Sequence, residues 1–108
     1  MSEKQLVNNY MVKRFQHKNF AGYHYIKLML EYLLHKYYEN GYLSPVKLTQ
    51  MHKLVNVNVP YESFHKSVRY FLKTEHIDIF PGDFLIQTIE NIIEESQNIE
   101  ILKEEDEF

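Results

Sequence analysis

The sequence predicts an all-α protein, a compact bundle of about five helices, and three observations lead to this fold class. Apolar residues recur at helical spacing along most of the 108 residues. Three Gly and three Pro are too few for a loop-rich or disordered chain. No segment shows the sustained apolar–polar alternation of a strand.

The clearest helical pattern runs from Gly22 to Gly41. Gly41 stands just past the expected helix end, where a left-handed residue is common and Gly adopts that conformation at little cost. The first 20 residues carry apolar side chains at similar spacing, so we expect an earlier helix there. The apolar stripe of the clearest helix consists of Ile26, Leu30, Leu33, Leu34 and Tyr37.

Three more helices are expected after Gly41. Ser44-Pro45 is typical of an N-cap followed by Pro at the first helical position, and this helix should end near Asn56. The next helix spans about residues 60–74, and the Pro81-Gly82-Asp83 turn introduces the last one. His76–Phe80 is either a short extended piece or a turn of helix.

Charge divides the chain into a basic body and an acidic end. Residues 1–78 hold 11 of the 12 Lys and Arg against six acidic residues, a net +5. Residues 79–108 hold one Lys against nine acidic residues, a net −8, and the whole chain carries −3. We therefore expect a helical domain over residues 1–96 and an acidic C-terminal tail over residues 97–108.

The sequence lacks Cys and the recognisable motifs of enzyme sites. The chain has no Cys, no Gly-rich phosphate loop, no Gly-x-Ser-x-Gly motif and no His-Glu-x-x-His zinc helix. The six His are scattered, and each is expected on a solvated face, as are the pairs Glu94-Glu95 and Glu104-Glu105. We expect no enzyme, cofactor, metal site or small-molecule substrate.

Membrane insertion and export are not expected either. No apolar run approaches the roughly 18–20 residues of a membrane span. The N-terminus lacks the apolar stretch of a signal peptide. A cytoplasmic protein is therefore the default.

The two helices on either side of residues 56–59 have the order of a helix-turn-helix, in which the first helix braces the second and the second enters the major groove of DNA. Such a second helix must be apolar inward and basic or hydrogen-bonding outward. Any surface helix has a polar face, so an ordinary solvated helix stays the alternative. We expect base contacts from Ser63, His65, Lys66 and Arg69, and phosphate contacts from Lys47, Lys53 and Lys73.

The order of these residues also resembles a known family. Gly22-Tyr23-His24-Tyr25-Ile26-Lys27 is similar to the Gly-Tyr-x-Tyr-Leu-Arg signature that opens the C-terminal DNA-binding domain of the sporulation stage-zero master response regulator. Gly41 matches a family glycine, and residues 64–70 overlay the family's Val-Glu-Arg-Ala-Ile-Arg-His recognition helix. Asp83 to Ile93 resembles its closing helix, so the likeness covers most of residues 7–95.

The resemblance implies an all-helical domain that binds duplex DNA in the major groove as a transcription regulator. Lys66 and Arg69 match family arginines on the DNA-facing side. Ser63 replaces an arginine and His65 a glutamate, so a different target sequence is expected. The family's receiver domain has no counterpart here, and one family helix between the recognition helix and the last helix is missing.

The sequence therefore predicts a small DNA-binding regulator of transcription or replication, of the kind that a plasmid or other mobile element would use. The alternative is a protein-interaction module that kept the fold and lost DNA binding, which the acidic net charge and the nine Tyr favour. Tyr37, Tyr38 and Tyr42 would line its contact patch. A homodimer is expected because paired recognition helices read a symmetric site, although the isoleucines of the last helix fit packing within one protomer equally well.

Overall fold

Five α-helices build the protein. The computed structural model describes the backbone of residues 1–106 and the side-chain surroundings of residues 1–97. The helices are α1 (Glu3–Arg14), α2 (Ala21–Asn40), α3 (Leu48–Val55), α4 (Tyr61–Thr74) and α5 (Pro81–Asp106). No strand occurs in the described backbone, so the predicted all-α class is confirmed.

Local sequence sets several helix ends. The Ser2 hydroxyl accepts a hydrogen bond from the Gln5 N–H at 3.2 Å, and the Gln5 side chain accepts one from the Ser2 N–H at 3.0 Å. This reciprocal pair is a capping box. Gly41 closes α2 with φ 82° as predicted, and Asn56 closes α3 with φ 51°. Both residues are of types that tolerate the left-handed conformation.

The third helix begins later than its N-cap signal predicts. Ser44 and Pro45 precede it, because α3 starts at Leu48 with Lys47 in the N-cap position. The segment before it lies against the first turn of α5, where a Cβ on Gly82 would meet the Val46 carbonyl oxygen at 2.6 Å. Leu43 and Val46 pack on the core there. Burial of these two side chains outweighs an N-cap, which contributes about 1 kcal/mol.

Two connectors also differ from the sequence prediction. The first 20 residues are not one helix, because α1 ends at Arg14 and the buried Phe15 is extended, with φ −117° and ψ 140°. Residues 76–80 are neither a strand nor a helical turn. His76 is left-handed there, with φ 61°, and it redirects the chain from α4 towards α5.

The core surrounds α2, which contacts each of the other four helices. Burial raises the pKa of the Tyr23 hydroxyl above its ordinary value. The interior positions predicted for this helix are confirmed, since Ile26, Leu30 and Leu34 are fully buried and Leu33 is nearly so. Tyr37, the last residue of the predicted apolar stripe, is only half-buried.

Helices α1 and α5 are joined by polar contacts as well as by the core. The Asn91 side-chain amide donates to the Tyr10 hydroxyl at 3.3 Å. Arg14 forms an ion pair with Glu95, and its guanidinium carbon lies 4.1 Å from the centroid of the Tyr10 ring. Glu95 therefore lies at the surface as predicted, with its side chain 43% exposed, but it is paired with Arg14.

The charge distribution predicts that a helical domain ends at residue 96 and that an acidic tail begins at residue 97. The last helix, α5, continues across this boundary and ends at Asp106. The apolar Ile99, Ile101 and Leu102 and the pair Glu104-Glu105 lie outside the residues whose side chains the structure describes. The expected role of the tail stays a prediction.

No helix in the described part of the chain has both the length and the apolar character needed to cross a membrane.

Gly22 lets α2 and α4 approach closely, and its replacement tests that contact. A Cβ there would collide with the Ser67 carbonyl oxygen and would lie 2.7 Å from the Phe71 Cβ. We expect Gly22→Ala to lower the free energy of unfolding by about 1–3 kcal/mol, because the α4 backbone must move to admit the methyl group. Urea denaturation followed by circular dichroism measures this change.

Gly41→Asn is the matched control, since a Cβ at Gly41 meets no atom within 4 Å and Asn tolerates positive φ. Its cost should stay below about 1 kcal/mol. Equal losses in the two variants would contradict the close approach of α2 and α4.

Candidate nucleic-acid interface

Helices α3 and α4 are held together at a short connector, residues 56–60. The His52 Nε2 donates to the Val59 carbonyl oxygen at 2.7 Å. The same ring packs on Phe64, with centroids 5.0 Å apart, and meets Tyr61 edge-on at 5.7 Å. His52 therefore fixes the start of α4 against α3. The prediction that every His lies on a solvated face is wrong here, because His52 is half-buried.

His52→Ala should lower the free energy of unfolding by about 1–2 kcal/mol, because the Val59 carbonyl loses its donor and Phe64 loses a packing partner. His52→Gln keeps a side-chain N–H donor and should lose less. His24→Ala changes an exposed His and should stay within about 0.5 kcal/mol. Thermal and urea melts of the three variants measure these differences, and an equal effect of His52→Ala and His24→Ala would contradict the bracing role.

The inner face of α4 anchors the helix in the core. Phe64, Val68, Phe71 and Leu72 are buried there, as predicted. The Phe71 ring contacts Phe15 and Tyr23 at centroid distances of 5.5 and 5.9 Å. Because four buried side chains on one stripe fix the rotation of a helix, the opposite stripe must face outward.

The outer face of α4 is basic and exposed. Ser63, Lys66, Arg69 and Lys73 are exposed, as the sequence predicts. None of the three cations forms an ion pair with a carboxylate among the residues whose side chains are described. The remaining predicted base-contacting residue, His65, is half-buried at the edge of this face and stacks on Tyr61, with centroids 5.6 Å apart.

Two more predicted cations lie on α3. Lys47 occupies its N-cap position and Lys53 its last turn, and both are exposed. Neither takes part in an ion pair within residues 1–97. The helix pair thus presents five exposed cations, namely Lys47, Lys53, Lys66, Arg69 and Lys73.

An acidic residue that the sequence analysis did not single out supports the far end of α4. Glu75 follows the helix, and its carboxylate accepts hydrogen bonds from the Gln16 N–H at 2.9 Å and from the His17 Nδ1 at 2.7 Å. These bonds tie the connector between α1 and α2 to α4. His17 is half-buried, which again differs from the prediction of a solvated ring.

An aromatic stack continues this support onto the outer face. His17 packs on Phe20 at 4.9 Å, and Phe20 stacks on Tyr70 at 5.4 Å with the rings 13° apart. Tyr70 nevertheless stays 62% exposed. It lies between Lys66 and Lys73 on the helix surface. The exposed basic face of α4 therefore includes an aromatic ring whose position is fixed by its stack on Phe20.

The side chains of residues 1–97 contain no group of three or more His, Asp or Glu placed to hold a metal ion.

Comparison of the chain with protein-family models, with curated proteins and with solved structures finds no match. The resemblance to the sporulation effector domain therefore stays a prediction.

Proposed function

We propose that this protein binds duplex DNA, with α3 and α4 acting as a helix-turn-helix and α4 entering the major groove. The observation that carries the proposal is the outer face of α4, where Lys66, Arg69 and Lys73 are exposed and meet no described carboxylate. A polyanion is the partner that such a face fits best.

The dimensions of α4 suit this role. Its 14 residues span about 21 Å at 1.5 Å per residue. A helix with side chains is about 10–12 Å wide, close to the width of the major groove. Arg69 and Lys66 would reach guanine edges, and Ser63 and His65 would contact neighbouring bases. Lys47, Lys53 and Lys73 would contact phosphates.

The biological role proposed for this binding is control of transcription or replication in the cytoplasm, as in a plasmid or another mobile element. The protein would act as a homodimer on a two-fold symmetric site, since one recognition helix reads few base pairs. Occupancy would then follow the concentration of the protein.

Selection of bound duplexes from a random pool tests the proposal. The full chain should enrich one family of sequences, and its affinity for them should fall steeply as salt rises. Counterion release predicts a log–log slope of about −0.9 for each phosphate neutralised. No enrichment, and no binding to any duplex at low salt, would refute the proposal.

The second candidate function is a protein-interaction module, and exposed tyrosines favour it. Tyr38 and Tyr42 are 49% and 64% exposed, and the Tyr37 and Tyr38 rings lie 5.7 Å apart. Such a patch is typical of a contact surface. Under the first proposal, the double variant Tyr38→Ala with Tyr42→Ala should bind DNA as wild type does. The second function would be favoured if the selection fails and the double variant no longer captures a partner that wild type captures.

A further inference from the structure

The segment between α4 and α5 exposes large apolar side chains that packing does not explain. Phe80 is 73% exposed and Ile79 is 40% exposed. They follow the left-handed His76 and directly precede Pro81, the first residue of α5. These two neighbouring apolar side chains project between two helices, and we refer to Ile79 and Phe80 as the apolar tip.

A cleft of about 600 Å³ lies between Ile79 of the apolar tip and the outer face of α4, and Phe80 follows Ile79 at its rim without lining it. Arg69, Tyr70 and Lys73 line it from α4, and His76, Ile79 and Pro81 line it from the segment that follows. The cleft therefore shares residues with the proposed major-groove surface. DNA that lies on α4 would pass over this cleft and meet the tip.

The charges of the cleft favour a phosphate backbone. Its two permanent cations, Arg69 and Lys73, outnumber its one carboxylate, Asp78. Neither cation is paired within residues 1–97. A strand passing here would place a phosphate beside Lys73 while Arg69 reaches a base edge, and it would place the edge of the next groove beside the tip.

We propose that Ile79 and Phe80 insert into the minor groove next to the major-groove site of α4, partly unstack one base step and bend the duplex. This inference rests on the proposed function. Proteins that bind the minor groove use Phe and Ile as wedges in this way and flank them with cations. Pyrimidine–purine steps unstack most easily, so the selected sites should carry one at a fixed distance from the sequence that α4 reads.

Bending of a selected duplex by the full chain tests the insertion. Energy transfer between dyes at the two ends of the duplex reports the bend, and 2-aminopurine placed at successive steps reports unstacking. We expect wild type to bend the duplex and to brighten 2-aminopurine at one step. Phe80→Ala should abolish both signals and lower affinity about tenfold, while the sequence preference read by α4 is retained.

Tyr42→Ala is the matched control, because it also removes an exposed aromatic ring but lies just after α2, whereas Phe80 stands between the cleft-lining residues Ile79 and Pro81. Its bend and affinity should equal those of wild type. The melting temperature of Phe80→Ala should also be unchanged, since the ring is largely in solvent, and this separates a lost contact from a lost fold.

Three results would overturn the inference in different ways. An unchanged bend in Phe80→Ala would show that the tip does not insert. Loss of self-association in Phe80→Ala, measured by sedimentation with the bend intact, would assign the tip to an interface between two copies. Failure of wild type to bind any duplex would remove the proposed function itself, and this inference with it.

Discussion

Reversing the charges of Lys66 and Arg69 together, in K66E/R69E, should lower the affinity for a selected duplex about 100-fold or more, equivalent to about 2.7 kcal/mol. Each native side chain would make a base or phosphate contact worth about 1–3 kcal/mol. Each Glu would in addition repel the backbone. Titration of a labelled duplex measures the loss.

The fold should survive these substitutions. Lys66 and Arg69 are exposed, and neither is paired among the described side chains. Surface changes of this kind usually alter the free energy of unfolding by less than about 0.5 kcal/mol each. Equal urea midpoints for K66E/R69E and wild type would show that affinity and folding are separated.

K4E/K13E provides the control for net charge, because it makes the same change at two exposed lysines of α1. Its affinity should fall only slightly. If both double variants lose affinity to the same extent, the overall charge governs binding and the assignment of α4 to the major groove is contradicted.

Phe71→Ala should lower the free energy of unfolding by about 3–5 kcal/mol, the largest stability effect among the variants described here. The ring is fully buried and packs edge-on against Phe15 and Tyr23. Its Cβ also adjoins Gly22, where α2 and α4 approach each other closely. Since small domains are stable by about 5–15 kcal/mol, much of the margin would be lost.

The adjacent Tyr70→Ala is the control for this variant. Tyr70 is 62% exposed and stacks on Phe20, so its removal should cost no more than about 1 kcal/mol. Urea denaturation with comparable m-values measures both variants. A loss in Tyr70→Ala as large as that in Phe71→Ala would mean that α4 is rotated about its axis.

Periodicity was sufficient to predict most of the fold. The outward and inward faces of α4 and the end of α2 at Gly41 follow from spacing and from one glycine. The start of α3 does not follow from the spacing. The Ser44-Pro45 signal reports only local preference, whereas Leu43 and Val46 pack on the core. A sequence window around Ser44 contains no information about that packing.

The supports of the candidate interface were harder to predict for the same reason. Glu75 binds Gln16 and His17, which lie 59 and 58 residues earlier in the chain, respectively. One signal was nevertheless present, because Glu75 follows the C-terminus of α4, where the helix dipole disfavours an anion. A carboxylate at such a position requires a partner from elsewhere, although the sequence does not identify it. For His52, no feature of the sequence indicates that its ring contacts Val59 and Phe64.

The stack of Phe20 on Tyr70 has a consequence for communication within the molecule. A ligand that favours one position of the Tyr70 ring would also favour the matching arrangement of Phe20, and the free energy that couples the two is the same in both directions. The amides of residues 15–20 should then exchange their hydrogens more slowly when α4 is occupied, although they need not touch the ligand. The loop between the first two helices would thus act as a reporter of the bound state.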